Sequence, residues 1–196
     1  MTVNKDLAKP GIKKRRSPIT RVEGERRLID ATLQLVKTRS FSEVSVRSIA
    51  DLADVNHGFV HTWFGSKNDL LAAVTQMLGK EISDEAKAAP AGSPAVDAFD
   101  DRILLIVRLL IWLNLDGYTF KEGLTLQIFE TLRTRYLDLD GLSPRDADNA
   151  ALIATAVGIA VGAFRPILEN STPIDFSHLV PTWRHILGLL AQHPSP

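Results

Sequence analysis

One stretch in the first third of the chain decides the fold: Val55-Asn56-His57-Gly58-Phe59-Val60-His61-Thr62-Trp63-Phe64-Gly65-Ser66-Lys67. At 100° per residue, one side of a helix over 57–63 gathers the apolar Val60, Trp63 and Phe64. The opposite side holds Gly58, His61 and Thr62, flanked by His57 and Phe59. This outer side carries no lysine, arginine or acidic residue. It therefore suits close approach to another surface better than a solvated face would.

The segments before and after this stretch predict further helices. Residues 22–38 carry a broad apolar stripe that includes Leu28, Ala31 and Leu35. Ser45 is a good N-cap for a second helix, which ends in the tight link Asp54-Val55, and aspartate tolerates the left-handed conformation of such turns. Asn56 caps the short third helix, and Ser66 caps a fourth one that begins at Lys67. This order predicts a helix-turn-helix unit with a supporting helix before it.

The residue types on the outer side fit a DNA groove. Histidine can donate or accept a hydrogen bond, and phenylalanine can contact a thymine methyl group in the major groove. Gly58 removes a side chain where the helix would come nearest to the DNA. These features favour a DNA-reading helix over a solvated one.

The run from Arg27 to Leu71 resembles the DNA-binding region of the tetracycline-repressor (TetR) family over about 45 residues. The matching positions are Arg27, Leu28, Ile29, Ala31, Leu35, Phe41, Val44, Ser45, Val46, Ile49, Ala50, Ala53, Val55, Gly58, Val60, His61, Trp63, Phe64, Ser66, Lys67, Leu70 and Leu71. The chain departs from the family at four positions: Ser40 and Asp54 replace glycine, Asn56 replaces serine or threonine, and His61 replaces tyrosine.

The resemblance implies a set of DNA contacts. His57, Gly58 and Phe59 would meet base edges, whereas the backbone would be contacted by Arg47, His61, Trp63 and Lys67. Asn56 and Thr62 complete this set. Before the first helix, the basic arm Lys13-Lys14-Arg15-Arg16 would reach an adjacent minor groove, as homeodomain arms do.

Composition supports the same reading. The chain has 196 residues, 45% of them apolar and 23% charged, which is typical of a soluble globular protein. The net charge is zero, but residues 1–70 have a balance of +5 and residues 71–196 one of −5. A basic first third predicts that the N-terminal part meets a polyanion.

Several classes of protein are disfavoured. No secretory signal is visible, and the longest uncharged apolar stretch, 150–164, is shorter than the ~20 residues of a membrane span, so we expect a cytoplasmic protein without membrane association. Without cysteine there is no disulfide or thiolate chemistry. His57 and His61 have a spacing that can hold a metal, but no Cys or His-Glu-x-x-His pattern joins them, so we expect no metal. No catalytic or cofactor motif stands out, and we expect neither an enzyme nor a cofactor.

The predicted fold is all-α with about nine helices. Its domains are a basic arm (1–19), a helix-turn-helix head (20–71) and a larger helical domain (72–196) whose helices cover 95–115, 119–138, 144–168 and 175–192. The resemblance implies that the larger domain encloses a small-molecule pocket and forms a homodimer through its last two helices.

Candidate pocket residues are aromatic, apolar or polar anchors: Phe99, Arg108, Trp112, Phe129, Arg133, Tyr136 and Trp183. Arg108 lies in a very apolar helix and needs a partner there, which would favour an anionic effector if it faces a cavity. Candidate dimer residues are the small residues of one helix and the apolar ones of the next: Ala151, Ala154, Gly158, Gly162, Trp183, Leu187 and Leu190.

The sequence therefore predicts a DNA-binding transcriptional regulator. We interpret it as a repressor that a small-molecule effector releases from a near-palindromic double-stranded operator. Two alternatives stay open: a helical protein–protein adaptor with a vestigial DNA head, and a small-molecule-binding bundle that sequesters its ligand or acts as a catalyst. The outer face of 57–62 and the uneven charge favour DNA.

Overall fold

The structure is a computed structural model that describes residues 19–90, 100–120, 124–171 and 178–195. In these ranges the chain forms eight helices and no strand, which confirms the all-α prediction with about one helix fewer than expected. The arm residues Lys13, Lys14, Arg15 and Arg16 lie outside the described residues, and so does Phe99.

The helices follow the predicted order: α1 (Arg21–Thr38), α2 (Val46–Ala53), α3 (Gly58–Trp63), α4 (Lys67–Ala88), α5 (Asp101–Leu115), α6 (Leu124–Asp138), α7 (Pro144–Ser171) and α8 (Leu179–Gln192). The predicted helix over 119–138 begins later, at Leu124. Gly117 adopts a φ of 76° that ends α5, and Tyr118 and Phe120 then pack against the first core instead of continuing in a helix.

Local capping fixes the helix starts in the head. Thr20 caps α1 by accepting a hydrogen bond from the Glu23 amide. Ser45 and Ser48 form a reciprocal capping box at the start of α2. Ser66 accepts from the Asp69 amide at 3.0 Å and starts α4 directly after the left-handed Gly65. Since each cap satisfies amides that the helix itself leaves free, these starts follow from the local sequence.

A first hydrophobic core holds the head together. It joins buried side chains of α1 to α4, such as Leu28, Ile49, Val60 and Leu71, with the C-terminal half of α5. Helix α4 continues past Ala72, where the boundary was predicted, as one uninterrupted helix. The head therefore rests on α4 and α5 together.

A second core joins α6, α7 and α8. Leu132 and Tyr136 of α6 are buried against Ala147, Ala151 and residues of α8. Helix α4 packs on both α5 and α6, and α7 packs on α5 and α6. This arrangement leaves a cavity between α4, α5, α6, α7 and α8.

Helix α7 is unusually apolar for its exposure. Its segment Pro144–Phe164 has the length and mean hydropathy (1.6) of a membrane-crossing helix by these two criteria alone, and 28% of that window is buried. Buried core helices of soluble proteins pass the same test, but here several apolar side chains face outward. Helix α7 therefore exposes an apolar face along part of its length.

Candidate nucleic-acid interface and ligand cavity

Helix α3 presents the outer side that its wheel predicts. Val60 is fully buried, and Trp63 and Phe64 pack partly buried against the first core. His57, His61 and Thr62 are exposed on the opposite side. The helix is therefore anchored by one face and free to meet a partner with the other.

The turn before α3 has the expected geometry. Asp54 ends α2 with φ 51° and ψ 41°, in the left-handed region, as the sequence predicts. Asn56 accepts a hydrogen bond from the Gly58 amide at 2.9 Å through its Oδ1. Its side-chain oxygen is thus engaged in starting α3, and Asn56 contributes to the site by setting the direction of this helix.

Contacts among Phe59, Trp63 and Gly24 set the distance between α3 and α1. The rings of Phe59 and Trp63 are parallel, with centroids 4.3 Å apart. On the α1 side, Trp63 lies directly against Gly24, which is buried, and a Cβ built at Gly24 would overlap the edge of the indole ring. Sequence reasoning missed Gly24. The signal available was a glycine inside a helix, which costs stability and therefore indicates a close approach.

Gly58, in contrast to Gly24, has room for a side chain. A Cβ at this position would meet only Asn56 Oδ1 at 3.4 Å, and its φ is not in the left-handed region. The fold therefore does not require glycine here. The subunit's own packing therefore does not explain why glycine stands here.

The remaining predicted contacts lie around this face. Thr62 Oγ1 donates to the Gly58 carbonyl at 3.0 Å, and His61 Nδ1 lies 3.2 Å from the Gly65 carbonyl oxygen. The Arg47 side chain is 89% exposed on α2, and its Nε is 3.9 Å from Asp51. Arg47 is thus free to turn toward a phosphate.

Lys67 is held by the protein itself. Its Nζ donates to the backbone carbonyls of Phe41 and Val44, at 3.2 Å each. These bonds tie the start of α4 to the link between α1 and α2. Lys67 therefore has a structural role beside the predicted phosphate contact, which would use its third donor hydrogen.

Replacing Lys67 with methionine tests this role. The variant keeps the aliphatic stem but loses both bonds, so we expect the free energy of unfolding to fall by about 1.5–3 kcal/mol, the range for hydrogen bonds to charged groups. Urea unfolding followed by circular dichroism measures the change. A Lys80→Met variant, which removes only an exposed α4 pair with Asp84, is the control. Equal stability of the two variants would contradict the structural role of Lys67, and the predicted phosphate contact would then be its remaining role.

The charges of the described head are balanced. Residues 19–70 hold seven lysines and arginines against seven acidic residues, so the excess of residues 1–70 lies wholly in residues 1–18. On α1, hydrogen bonds from Arg26 and Arg27 lower the pKa of Glu23 to about 2. Because these arginines are paired with Glu23, the exposed α1 face contributes little net positive charge.

The cavity of the larger domain has a volume of about 540 Å³, within the usual range for small-molecule sites. Most of its wall is apolar, from Ile82 on α4, Ile106 on α5, Leu132 on α6 and Leu187 on α8. Helices α4 and α5 therefore line the cavity with one part of their length and support the head with another.

Polar groups gather at the α6 and α8 side of the cavity. The guanidinium of Arg135 donates to the backbone carbonyls of Ala86, Ala89 and Pro90 at the end of α4. Trp183 Nε1 donates to the Tyr136 hydroxyl at 3.1 Å, and burial raises the pKa of Tyr136.

Two hydrogen bonds connect the start of α4 to the segment after α5. Asn68 Nδ2 donates to Asp116 at 2.7 Å, and the Tyr118 hydroxyl donates to Asp69 at 3.1 Å. Asp69 also receives the Ser66 hydroxyl. Hydrogen bonds thus connect the start of α4, shortly after α3, to the C-terminal end of α5, a helix that lines the cavity.

Comparisons with known proteins agree with this geometry. The profile described as "Bacterial regulatory proteins, tetR family" matches residues 28–74. The chain is 30% identical over 172 residues to the HTH-type transcriptional repressor Rv3405c of Mycobacterium tuberculosis (strain ATCC 25618 / H37Rv), covering 85% of this chain and 87% of the relative. The chain belongs to the TetR family. The same identity and coverage hold for the HTH-type transcriptional regulator Mb3439c of Mycobacterium bovis (strain ATCC BAA-935 / AF2122/97).

A solved structure supports the fold of this TetR-family regulator. The TetR family repressor AlkX from Dietzia sp. strain DQ12-45-1b superposes with a TM-score of 0.56 at 18% identity, over 86% of this chain and 95% of that one. The protein is thus a helix-turn-helix DNA-binding transcriptional regulator. Regulators of this family are in general DNA-binding proteins and not enzymes.

Some of the predicted pocket residues line the cavity of the regulator and others do not. Only Tyr136 and Trp183 line the cavity within the described residues. Trp112 and Phe129 pack into the first and second cores, and Arg133 pairs with Asp148.

Arg108 requires a correction. It is exposed and lies 5.4 Å above the Phe41 ring, outside the cavity, because it points from α5 toward the head whereas Ile106 and Val107 face the cavity. Its partner is an aromatic ring, so it cannot anchor an anionic ligand in the cavity.

The predicted dimer residues are also used inside the subunit. Ala151 is fully buried, Leu187 is buried, and Ala154, Trp183 and Leu190 pack against the second core. At Gly162 an added Cβ would come within 2.9 Å of Val107, so the small residue permits a close approach of α7 to α5 of the same subunit, and Gly158 lines the cavity. Their assignment to a dimer face stays a prediction.

Other apolar residues of α7 and α8 are exposed instead. They are Leu152, Phe164 and Ile167 on α7, with Ile186 and Leu189 on α8, whereas the exposed Ile153, Val157 and Ile159 line the cavity. Sequence periodicity identified both helices but not the side that meets the subunit's own core, because a helix that is apolar nearly all round does not show it.

Proposed function

We propose that this regulator is a homodimeric repressor that binds a near-palindromic operator through α3 and leaves it when a small molecule fills the cavity. The observation that carries the DNA part is Gly58, which the fold does not need and which lies on the exposed, uncharged side of α3. This part of the helix can therefore approach base edges closely, with His57 and Phe59 beside it. The basic arm at residues 13–16 would add phosphate or minor-groove contacts. Such a regulator acts in the cytoplasm, where the DNA is.

Gly58→Ala tests this reading without disturbing the fold. We expect stability to be retained or raised, because alanine favours a helix by up to about 1 kcal/mol over glycine and finds room here. Operator affinity should fall about tenfold or more, since a methyl group then stands between helix and bases. Fluorescence anisotropy with labelled operator measures the affinity.

A control variant and a source of operator complete this experiment. Gln76→Ala, at an exposed position on α4 outside the head, should bind operator as the unaltered protein does. Selection of genomic fragments with the purified protein supplies the operator. Unchanged operator affinity of Gly58→Ala would contradict the placement of α3 against base edges.

The dimer part rests on the exposed apolar face of α7 and α8. Two such helices from each of two subunits form a four-helix bundle when these faces meet, which covers side chains such as Phe164 and Leu189. A two-fold dimer places its recognition helices about 34–36 Å apart, one turn of DNA, or multiples of it. The operator should therefore be a near-palindrome.

The proposed release from the operator depends on α4 and α5, the two helices that both line the cavity and support the head. Ligand binding against Ile82 of α4 or Ile106 of α5 shifts helices that also carry the head, and the Asn68–Asp116 and Tyr118–Asp69 bonds transmit the shift to the residue run after α3. A coupling of about 1–3 kcal/mol between the two sites suffices to lower operator occupancy.

A further inference from the structure

The cavity has one half-buried polar group without a hydrogen-bond partner. Thr75 and Thr155 donate to carbonyls of their own helices, Arg135 is engaged with the end of α4, and Tyr136 accepts from Trp183. In the described part of the chain, the carboxylate of Asp140 receives no hydrogen bond, although it lines the cavity and is only partly exposed. A half-buried carboxylate has lost part of its hydration, so a hydrogen bond from a ligand donor stabilises it.

The surroundings of Asp140 restrict the charge of that donor. Burial raises the pKa of Asp140, while the positive charges of Arg135 and Arg184 oppose this effect. A carboxylate ligand has no hydrogen to donate to Asp140 and would face its negative charge. Arg135 is committed to backbone carbonyls, and Arg184, which also lines the cavity, is exposed to solvent. A cationic ligand would meet two arginines beside the one carboxylate. An uncharged donor avoids both repulsions.

The rest of the wall sets the size and polarity of the ligand. A volume of about 540 Å³ equals roughly eighteen water molecules at ~30 Å³ each, which suits a ligand of about 12–18 non-hydrogen atoms. The wall is dominated by isoleucine, leucine and valine. Most of the ligand must therefore be apolar.

We propose that the ligand of this cavity is an uncharged, largely apolar molecule carrying one hydroxyl group, which donates a hydrogen bond to the Asp140 carboxylate. The hydrocarbon part fills the space between α4, α5 and α7, and the hydroxyl lies at the α6–α8 end beside Tyr136 and Trp183. This inference rests on the proposed function, because it names the class of molecule that the regulator would sense.

Four probes of similar length test the inference on the full chain: dodecan-1-ol and 1-methoxyundecane, each below its solubility limit, and dodecanoate and dodecylamine, each below its micellar concentration. Titration is followed by tryptophan fluorescence, since Trp183 lines the cavity. We expect dodecan-1-ol to bind about tenfold tighter than the ether, which lacks a donor, and tighter than either ion, as expected for one hydrogen bond to a charged group.

The variant Asp140→Leu should remove this preference and bind the alcohol and the ether alike. Asp138→Leu, at an exposed position two residues away and outside the cavity wall, should keep it. Thermal unfolding of both variants shows that they are folded. Tighter binding of dodecanoate or dodecylamine, an alcohol preference that survives in Asp140→Leu, or no binding of any probe would overturn the inference.

Operator release separates this inference from the proposed function. If dodecan-1-ol binds through Asp140 and also lowers operator affinity, both hold. If it binds through Asp140 and operator affinity stays the same, the ligand class stands and the proposed release mechanism fails. If operator binding is intact and no probe binds, the ligand class fails while the DNA-binding part of the proposed function stands.

Discussion

Replacing Gly24 with alanine should destabilise the head by about 1–3 kcal/mol, the usual cost of forcing extra volume into a packed site. The added methyl group would overlap the edge of the Trp63 ring, and Phe59 stacks on a face of that ring. The ring, together with the end of α3 that carries it, must therefore shift to make room. Because Trp63 is the last residue of α3, we also expect operator affinity to fall about tenfold or more.

Gly79→Ala is the matched control for this prediction. Gly79 also lies inside a helix, but nothing lies within 4 Å of a Cβ built there, so alanine should stabilise the protein by about 0.5–1 kcal/mol. Urea unfolding compares the two variants. Equal stability would mean that Trp63 adapts without cost and that Gly24 does not set the distance between α3 and α1.

Replacing Leu189 with aspartate should convert the proposed dimer into monomers. The exposed α8 side chain would be buried at the two-fold interface, so an unpaired charge would enter it from both subunits. The cost of an uncompensated buried charge is about 3–5 kcal/mol, which raises the dimer dissociation constant roughly a hundredfold or more. Sedimentation equilibrium measures this constant. Operator affinity should fall with it, because two linked half-site contacts become one.

Leu139→Asp provides the comparison. Leu139 and Leu189 are each 46% exposed, but Leu139 follows α6 and lies outside the α7–α8 face. This variant should remain dimeric and bind operator normally. A dimeric Leu189→Asp protein would place the subunit contact elsewhere and leave the exposed α7 face unexplained.

The position and the exposed side of α3 were predictable because their signals are local. The Ser45, Asn56 and Ser66 caps, the left-handed Asp54 and the separation of Val60 from His61 across α3 all depend on residues within a few positions of one another. The roles of Gly24 and Lys67 were not predictable from the sequence, because each residue contacts others that are far away in the chain. Trp63 meets Gly24 across 39 residues, and Lys67 reaches the carbonyl of Phe41 across 26.

The sequence by itself determined the family, the all-α class and the outer side of α3, since periodicity, capping and spacing are properties of neighbouring residues. Only the tertiary structure decided which faces of α5, α7 and α8 turn inward. Arg108 points to Phe41 and Gly162 receives Val107, neither of which the pattern of an almost uniformly apolar helix reveals. The physical reason is that burial is a pairwise property: a side chain is inside only when another helix covers it.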